Sequence, residues 1–123
     1  MANRIGYDAI APMARLLGLG EKFDLPLVSQ NYGTIPDSEW KRRRFEKNRR
    51  LIERPDWTRS DTLNAVIGQG FVIVNPLQLA VSTARIASGR LSRPMLLGAH
   101  SQAAPPLTVS PTHLDTEIGR AHV

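Results

Sequence analysis

The sequence predicts a mixed α/β fold in which helices pack against short strands. The segment from Asn75 to Gly89 has the end signals and the apolar content of a buried helix. Directly before it, Phe71 to Val74 is a β-rich tetrapeptide with the character of one short strand. Nine prolines and nine glycines in 123 residues break the chain into short pieces, which argues against one long helix bundle.

Composition limits the class of protein. A chain of 123 residues is long enough for one small domain at most. It contains no cysteine, which removes disulfides and thiolate metal sites. Its longest apolar stretches fall well short of the roughly 18 residues that span a bilayer. Residues 1–20 also lack the uninterrupted apolar region of a signal peptide. We therefore expect no signal or transmembrane segment in this chain.

The first predicted element is a helix from about Asp8 to Leu17. Asp8 is a suitable N-cap, and Pro12 then lies near the first turn, where its missing N–H costs least. Gly18 and Gly20 end the helix. Helical spacing puts four apolar residues on the face that we expect to be buried: Ile10, Met13, Leu16 and Leu17.

The next segment carries eight of the 16 basic residues of the chain, whose net charge is +5. Pro36-Asp37-Ser38 predicts a turn or the entry to a short helix that carries Trp40. From Lys41 to Arg54 basic residues dominate, and few apolar side chains interrupt them. The pattern fits a solvated helix and an exposed loop equally well. The basic residues are Lys41, Arg42, Arg43, Arg44, Lys47, Arg49, Arg50 and Arg54.

The best-specified element is a helix over residues 76–88, and an irregular connection over residues 54–70 is expected before it. Asn75 is its N-cap, Pro76 suits the first position, and Gln78 stands three residues after the cap, as in a capping box. Gly89 ends the helix. Apolar residues cover most of its circumference, so we expect burial on nearly every side, by neighbours that this chain does not contain. A second short strand is expected at Met95 to Leu97, and a helix start at Ser110-Pro111.

Local motifs for chemistry are weak. Gly68-Gln69-Gly70 favours a tight backbone turn over a phosphate loop, because the strand-like run follows the glycines instead of preceding them. The histidines at positions 100, 113 and 122 lack metal-ligand spacing, so we predict no metal and no cofactor. The serines lack a nucleophile-elbow pattern. The basic segment Lys41–Arg54 could bind nucleic acid, although such runs are usually solvated surface.

The run SDTLNAVIGQGFVIVNPLQLAVSTARIASG (residues 60–89) resembles the transpeptidase domain of class B penicillin-binding proteins, in particular the elongation-type penicillin-binding protein 2. RIGYDAIAPMARLLGLGEKFDLPL, YGTIPDSEWKRR and RPDWTRSDTLN upstream, and LTVSPTHLD downstream, are similar to further parts of that domain. The likeness extends from about residue 3 to residue 115, and its most specific part is Ile67 to Ala80. It implies a mixed serine-transpeptidase fold of an antiparallel sheet packed against helices.

The resemblance also implies an activity. The family cross-links peptidoglycan through an acyl-enzyme formed by the serine of an S-x-x-K motif, which β-lactams also acylate, and it needs S-x-N and K-T/S-G motifs as well. We expect the S-x-x-K and K-T/S-G motifs to be missing from this chain. Ser29-Gln30-Asn31 has the letters S-x-N, but it follows the first helix, whereas the family's motif precedes that helix. We therefore assign no catalytic residue and expect the chain alone to be inactive.

The resulting expectations are specific. Residues 1–115 form a partial transpeptidase domain, between the S-x-N and K-T-G motifs, and residues 116–123 a divergent or truncated tail. The turn Ile67-Gly68-Gln69-Gly70 lies near the parent active site in a structural role. The implied partners are peptidoglycan stem peptides, β-lactams and membrane proteins of the elongation complex. The implied location is the bacterial inner membrane, with this domain in the periplasm. The alternative is a small basic module that binds nucleic acid through Lys41–Arg54.

Overall fold

A computed structural model describes residues 2–26, 31–97 and 103–120, and these contain six helices. Among the described residues, strand pairing is limited to two isolated antiparallel bridges, Thr34 with Ile73 and Arg90 with Pro106. Ser29 and Gln30, His100 and His122, and residues 121–123 of the predicted tail lie outside the described residues. The helices are α1 Ala2–Ile5, α2 Tyr7–Leu16, α3 Ser38–Lys47, α4 Arg59–Val66, α5 Pro76–Ser88 and α6 Pro111–Arg120.

Helix α2 confirms the first predicted helix but not its cap. The N-cap is Gly6, which has no side chain to offer, so the prediction of Asp8 as the cap was wrong. The Asp8 carboxylate instead accepts hydrogen bonds from Ser38, from its backbone N–H at 2.9 Å and its hydroxyl at 2.6 Å. Pro12 lies inside the helix instead of near its first turn. Gly18, at φ +93°, follows the end of the helix as expected.

The buried face of α2 matches the predicted one only in part, because Ile10 packs against the core as expected but the fully buried residues are others. Tyr7 and Ala11 are buried, whereas Met13 is 44% exposed. The reason is an aromatic partner that helical periodicity does not reveal, because the Tyr7 ring stacks on Trp57 at 5.1 Å between centroids. The core cluster consists of Tyr7, Ala11, Ile35 and Ala65, with partly buried apolar residues around it.

The basic segment divides into a helix and a loop. Asp37 caps α3 and accepts from the Trp40 N–H at 2.7 Å, which confirms the predicted helix entry. Lys41 to Lys47 continue this helix, whereas residues 48–54 form turns and loop. Lys41 is buried, at 4% exposure, so it does not belong to the exposed basic surface.

Helix α4 replaces the irregular connection expected before the glycine turn, and that prediction was wrong. Thr58 caps the helix in a capping box with Asp61: the Thr58 hydroxyl accepts from the Asp61 N–H, and the Asp61 carboxylate accepts from the Thr58 N–H. The signal was present in the sequence, because a threonine with an acidic residue three positions later is typical of a helix start.

Helix α5 begins and ends as predicted, with Asn75 and Gln78 in a capping box, Pro76 in the first turn, and Gly89 in the left-handed conformation. Its burial within the described chain is limited to one face, which holds Gln78, Val81 and Arg85. The apolar side remains open, since Leu79 is 51% exposed. Two polar residues, Gln78 and Arg85, thus face the core together with Val81, while Leu79 faces outward.

Neither of the two predicted strands forms an extended strand in the structure. Of Phe71 to Val74 only Ile73 forms a bridge, and Met95 to Leu97 has no strand structure and is exposed. A strand needs a continuous ladder of partners, which the described residues do not provide here. Helix α6 begins at Pro111 as predicted and continues through residues 115 and 116. The domain boundary placed there stays a prediction. In the described parts of the chain, no helix has both the length and the apolar character that a membrane crossing requires.

Candidate functional site

The glycine turn (residues 67–70) joins the end of α4 to the chain that leads into α5. Gly68 and Gly70 have φ values of +73° and +69°, which side-chain-bearing residues adopt only with strain. The backbone N–H of Gln69 donates to the carbonyl of Asn64 at 2.8 Å, which folds the turn back on the last turn of α4. The predicted tight turn is therefore present.

The side chains of this turn offer little for proton-transfer chemistry. All four of its residues are exposed, and none has a titratable side chain. Its residues can therefore contact a neighbouring segment or ligand, but they cannot donate or accept a proton in catalysis. Its position relative to an active site stays a prediction.

The chain after the turn is held against the segment around Thr34. The N–H groups of Thr34 and Ile73 donate to each other's carbonyl oxygens at 2.6 and 2.9 Å. Gly33, at φ +65°, makes this approach possible, because a Cβ there would collide with the Ile73 carbonyl. The bridge thus depends on a glycine that no sequence motif singled out.

Gln78 ties the start of α5 to two connecting segments. Its fully buried amide nitrogen donates to the carbonyl of Glu21 at 2.9 Å and to that of Tyr32 at 2.7 Å. Its amide oxygen accepts from the Asn75 N–H at 3.2 Å. The capping-box glutamine therefore has a second role in tertiary structure, which the local motif alone could not predict.

Arg85 lies two helical turns after Gln78 on the same buried face of α5 and makes a comparable set of contacts. Its guanidinium donates to the Leu16 carbonyl at 2.8 Å and to the Ser92 carbonyl at 3.1 Å. It also forms an ion pair with Glu21 at 2.8 Å, with only 4% of the Arg85 side chain exposed. The end of α2 and the chain after α5 are thus joined through one buried cation.

A second buried ion pair joins α3 to α4. Lys41 Nζ lies 2.6 Å from Asp61 Oδ2 and also donates to the Asp56 carbonyl at 2.8 Å. Burial alone would raise the pKa of Asp61. The hydrogen bonds from Lys41 and Thr58 outweigh it, so that the pKa lies below its ordinary value. The glycine turn follows directly from the helix that this pair anchors.

One S-x-x-K tetrapeptide does occur, Ser38-Glu39-Trp40-Lys41, so the expectation that the chain contains none was wrong. Its two ends point to different partners. The Ser38 hydroxyl donates to Asp8, and Lys41 is ion-paired with Asp61. An ammonium group held by a carboxylate does not act as the base that activates a serine. The assignment of no catalytic residue therefore stays a prediction that this geometry favours.

A cleft of about 240 Å³ lies between α3, the Thr34–Ile73 bridge and the loop after α3. Two of its walls are the rings of Trp40 and Phe71, whose centroids are 5.4 Å apart and whose planes are tilted by 51°. Thr34, Arg44, Leu51, Ile52 and Ile73 complete the lining. We call this feature the Trp40 cleft.

The described residues contain no group of three or more His, Asp or Glu side chains arranged to hold a metal ion. His113, which lies on α6, is exposed. The carboxylates with altered pKa values are Asp37 and Asp61, and both are engaged in hydrogen bonds that hold helix ends. Both carboxylates with an altered pKa are therefore engaged in contacts that hold the structure together.

Comparison with known families matches residues 1–118 to the penicillin binding protein transpeptidase domain. The curated relatives include peptidoglycan D,D-transpeptidase MrdA from Acinetobacter baumannii, 34% identical over 110 residues. This alignment covers 89% of the present chain and 15% of the relative. The protein of the same name from Haemophilus influenzae is 29% identical over 100 residues, which are 80% of this chain and 14% of that one.

A solved structure shows the same fold. Penicillin-binding protein PBP2 from Helicobacter pylori, in complex with MreC, superposes with a TM-score of 0.74 at 29% sequence identity. The superposition covers 96% of this chain and 20% of that protein. The predicted fold class and the predicted resemblance are therefore confirmed. The matched part of the chain spans about a seventh of the length of these curated relatives.

Proposed function

This chain belongs to the penicillin-binding protein transpeptidase family, and we propose that it forms a supporting segment of a peptidoglycan D,D-transpeptidase similar to penicillin-binding protein 2. The observation that carries the proposal is the TM-score of 0.74 over 96% of the chain. The activity of the whole domain would be peptide cross-linking through an acyl-enzyme serine, which β-lactams acylate as well. Residues 1–115 would be the part between the S-x-N and K-T-G motifs.

The supporting role is assigned to the unit of α4, the glycine turn and α5. The ion pair of Lys41 with Asp61 fixes α4 to α3, and the Gln78 amide fixes α5 to two connecting segments. The turn between these anchors presents exposed backbone and no titratable group. Such a turn can form part of the wall of an active site whose reacting groups come from other segments.

The chain alone is proposed to be inactive, because the serine of its one S-x-x-K tetrapeptide, Ser38, is hydrogen-bonded to Asp8, and the lysine of that tetrapeptide, Lys41, is ion-paired with Asp61. Fluorescent penicillin labelling tests this point. We expect no covalent label on the purified chain or on its Ser38→Ala variant, and strong labelling of the intact Acinetobacter relative as the positive control. Label that is present on the chain and lost in Ser38→Ala would show that Ser38 is a nucleophile.

A chimera tests the positive half of the proposal. The 110 matched residues of the Acinetobacter relative would be replaced by the corresponding residues of this chain. We expect the chimera to bind penicillin covalently, because the fold is shared and the nucleophile would come from the relative. A chimera that is folded by circular dichroism but takes up no penicillin would contradict the assignment to this transpeptidase.

Partners and location follow from the same premise. The Helicobacter relative was solved as a complex with MreC. We propose that the protein of which this segment forms part likewise assembles with membrane proteins of the elongation complex and acts on peptidoglycan stem peptides. Its place would be the periplasmic face of the bacterial inner membrane. Co-purification of the tagged full-length protein with such membrane proteins is the corresponding test.

The alternative function is nucleic-acid binding by the basic segment Lys41–Arg54. Burial of Lys41 removes one of its cations, while those from Arg42 onward remain exposed. A nucleic-acid module of this kind would bind DNA with submicromolar affinity and a steep dependence on salt. We expect weaker, non-specific binding in a fluorescence anisotropy titration at two salt concentrations.

A further inference from the structure

We propose that the Trp40 cleft binds an acidic peptide segment of a partner protein, with one apolar side chain of that segment in the cleft. This role is separate from the supporting role in transpeptidation. It depends on the combination of an apolar cavity with a basic rim, which no part of the family assignment uses.

The cavity itself has the size and surface of an apolar anchor site. Its volume is about 240 Å³, smaller than the roughly 300–1,000 Å³ of sites for drug-sized ligands. Most of its walls are apolar: Trp40, Leu51, Ile52, Phe71 and Ile73. A pocket of this kind suits one large apolar side chain, which is the usual anchor of a protein interface.

Arg44 connects the cavity with the surface charge. It lines the cleft and is exposed to solvent, so its guanidinium can reach a carboxylate next to an anchored side chain. Further exposed cations lie on the same helix and on the loop that follows: Arg42, Arg43, Lys47, Arg49, Arg50 and Arg54. The rim therefore selects for negative charge.

Acidic residues of the same segment neutralise little of the positive charge of this rim. The exposed acidic residues of the segment are Glu39, Glu46 and Glu53, fewer than the cations. The ion pair of Arg43 with Glu39 has an N–O distance of 3.6 Å, with both side chains more than half exposed. Such a pair contributes little, so the positive charge remains available to a partner.

The apolar cavity distinguishes a peptide from other polyanions. Duplex DNA would bind through its phosphates and has no large apolar side chain to place in the cleft against Trp40 and Phe71. A lipid surface would contact the cations but gives no reason for a cleft of one side chain's size. An acidic segment with a leucine or aromatic residue matches both the charge and the cavity.

The test begins with selection of a phage-displayed library of random dodecapeptides on the immobilised chimera, in which this chain replaces the 110 matched residues of the Acinetobacter relative, because the isolated chain is expected to be poorly stable. We expect the retained peptides to be rich in Asp and Glu around one leucine or aromatic residue. A retained pool without an acidic excess, or no retention, would overturn the proposal. The best sequence is then synthesised with a fluorophore, in parallel with two controls, one with serine at the apolar position and one with lysine at the acidic positions.

Variants of the chain locate the site. Arg44→Glu should weaken binding of the acidic peptide by about tenfold and should favour binding of the lysine-substituted peptide. Arg42→Glu, on the same helix but outside the cleft, should change the affinity for the acidic peptide by less than about threefold. Leu51→Ser tests the apolar wall, with Leu97→Ser as the exposed control away from it. Circular dichroism checks that each variant keeps the helical content of the original chain.

Competitors complete the experiment. A DNA duplex and phosphatidylglycerol vesicles should displace the peptide only weakly at 150 mM salt, at which surface charges are screened beyond roughly 8 Å. Equal binding of the serine-substituted peptide, or tighter binding of DNA or vesicles, would reduce the surface to a general polyanion site and contradict the proposal.

Discussion

Lys41 Nζ lies 2.6 Å from Asp61 Oδ2, and this contact joins the basic helix α3 to α4. The same carboxylate oxygen accepts from the hydroxyl and the N–H of Thr58, which makes it part of the capping box of α4. One aspartate thus both starts a helix and holds it to its neighbour. The glycine turn continues directly from this helix, so the position of the turn depends on the ion pair.

Removal of the lysine should unfold much of the chain. In Lys41→Met the Asp61 carboxylate, only 15% exposed, loses its cationic partner, and breaking a buried pair costs about 3 kcal/mol. Because a domain of this size has little stability to spare, we expect a large loss of the far-UV helical signal at 25 °C. Arg42→Met, which removes an exposed cation from the adjacent position, should leave the signal within about 10%. Equal behaviour of the two variants would show that the buried pair is dispensable.

Acid should remove the contribution of the same pair. Hydrogen bonds hold the pKa of folded Asp61 below that of the unfolded chain, about 3.9. A lowered folded pKa contributes stability that is present above the unfolded pKa and is lost as pH falls through the folded pKa. We therefore expect the original chain to be more stable than Asp61→Asn at pH 6, and the difference to shrink below about pH 4. Urea unfolding at several pH values measures it, and a constant difference would contradict the prediction.

Features encoded within a few residues could be read from the sequence. The start and end of α5 follow from Asn75, Pro76 and Gly89, whose effects on the backbone need no distant partner. The start of α6 at Pro111 is of the same kind. Helix α4 is encoded equally locally, through Thr58 and Asp61, but the neighbouring Pro55-Asp56 turn signal predicts an irregular connection there instead.

Features that depend on distant residues could not be read in this way. The apolar content of α5 predicted burial all round, yet the buried residues include Gln78 and Arg85, whose partners lie on chain segments far away in sequence. Nothing around position 78 or 85 encodes those carbonyl groups. The Trp40 cleft is similar, because it arises from three segments and from a bridge that Gly33 permits. Family resemblance supplied the fold, but not these contacts.

The bridge between Thr34 and Ile73 should depend on the absence of a side chain at Gly33. In Gly33→Ala the new methyl group collides with the Ile73 carbonyl, in addition to the strain of φ +65°. Gly68→Ala is the matched control, since it has a similar φ of +73° but open space around the new Cβ. We expect the control to lose about 1 kcal/mol from backbone strain and Gly33→Ala distinctly more. The difference in urea midpoint isolates the collision, and equal midpoints would place the bridge in doubt.

The exposed side of α5 should limit the behaviour of the isolated chain. Leu79 is 51% exposed on a helix whose outward face is largely apolar, and such surfaces promote association. We expect poor autonomous stability and concentration-dependent aggregation. Leu79→Glu should lower light scattering at unchanged helical content, whereas Val81→Glu, on the buried face at 5% exposure, should abolish that content. A soluble monomer of the original chain with a sharp, cooperative thermal transition would show that this face needs no cover, because the described core would then suffice to hold the fold.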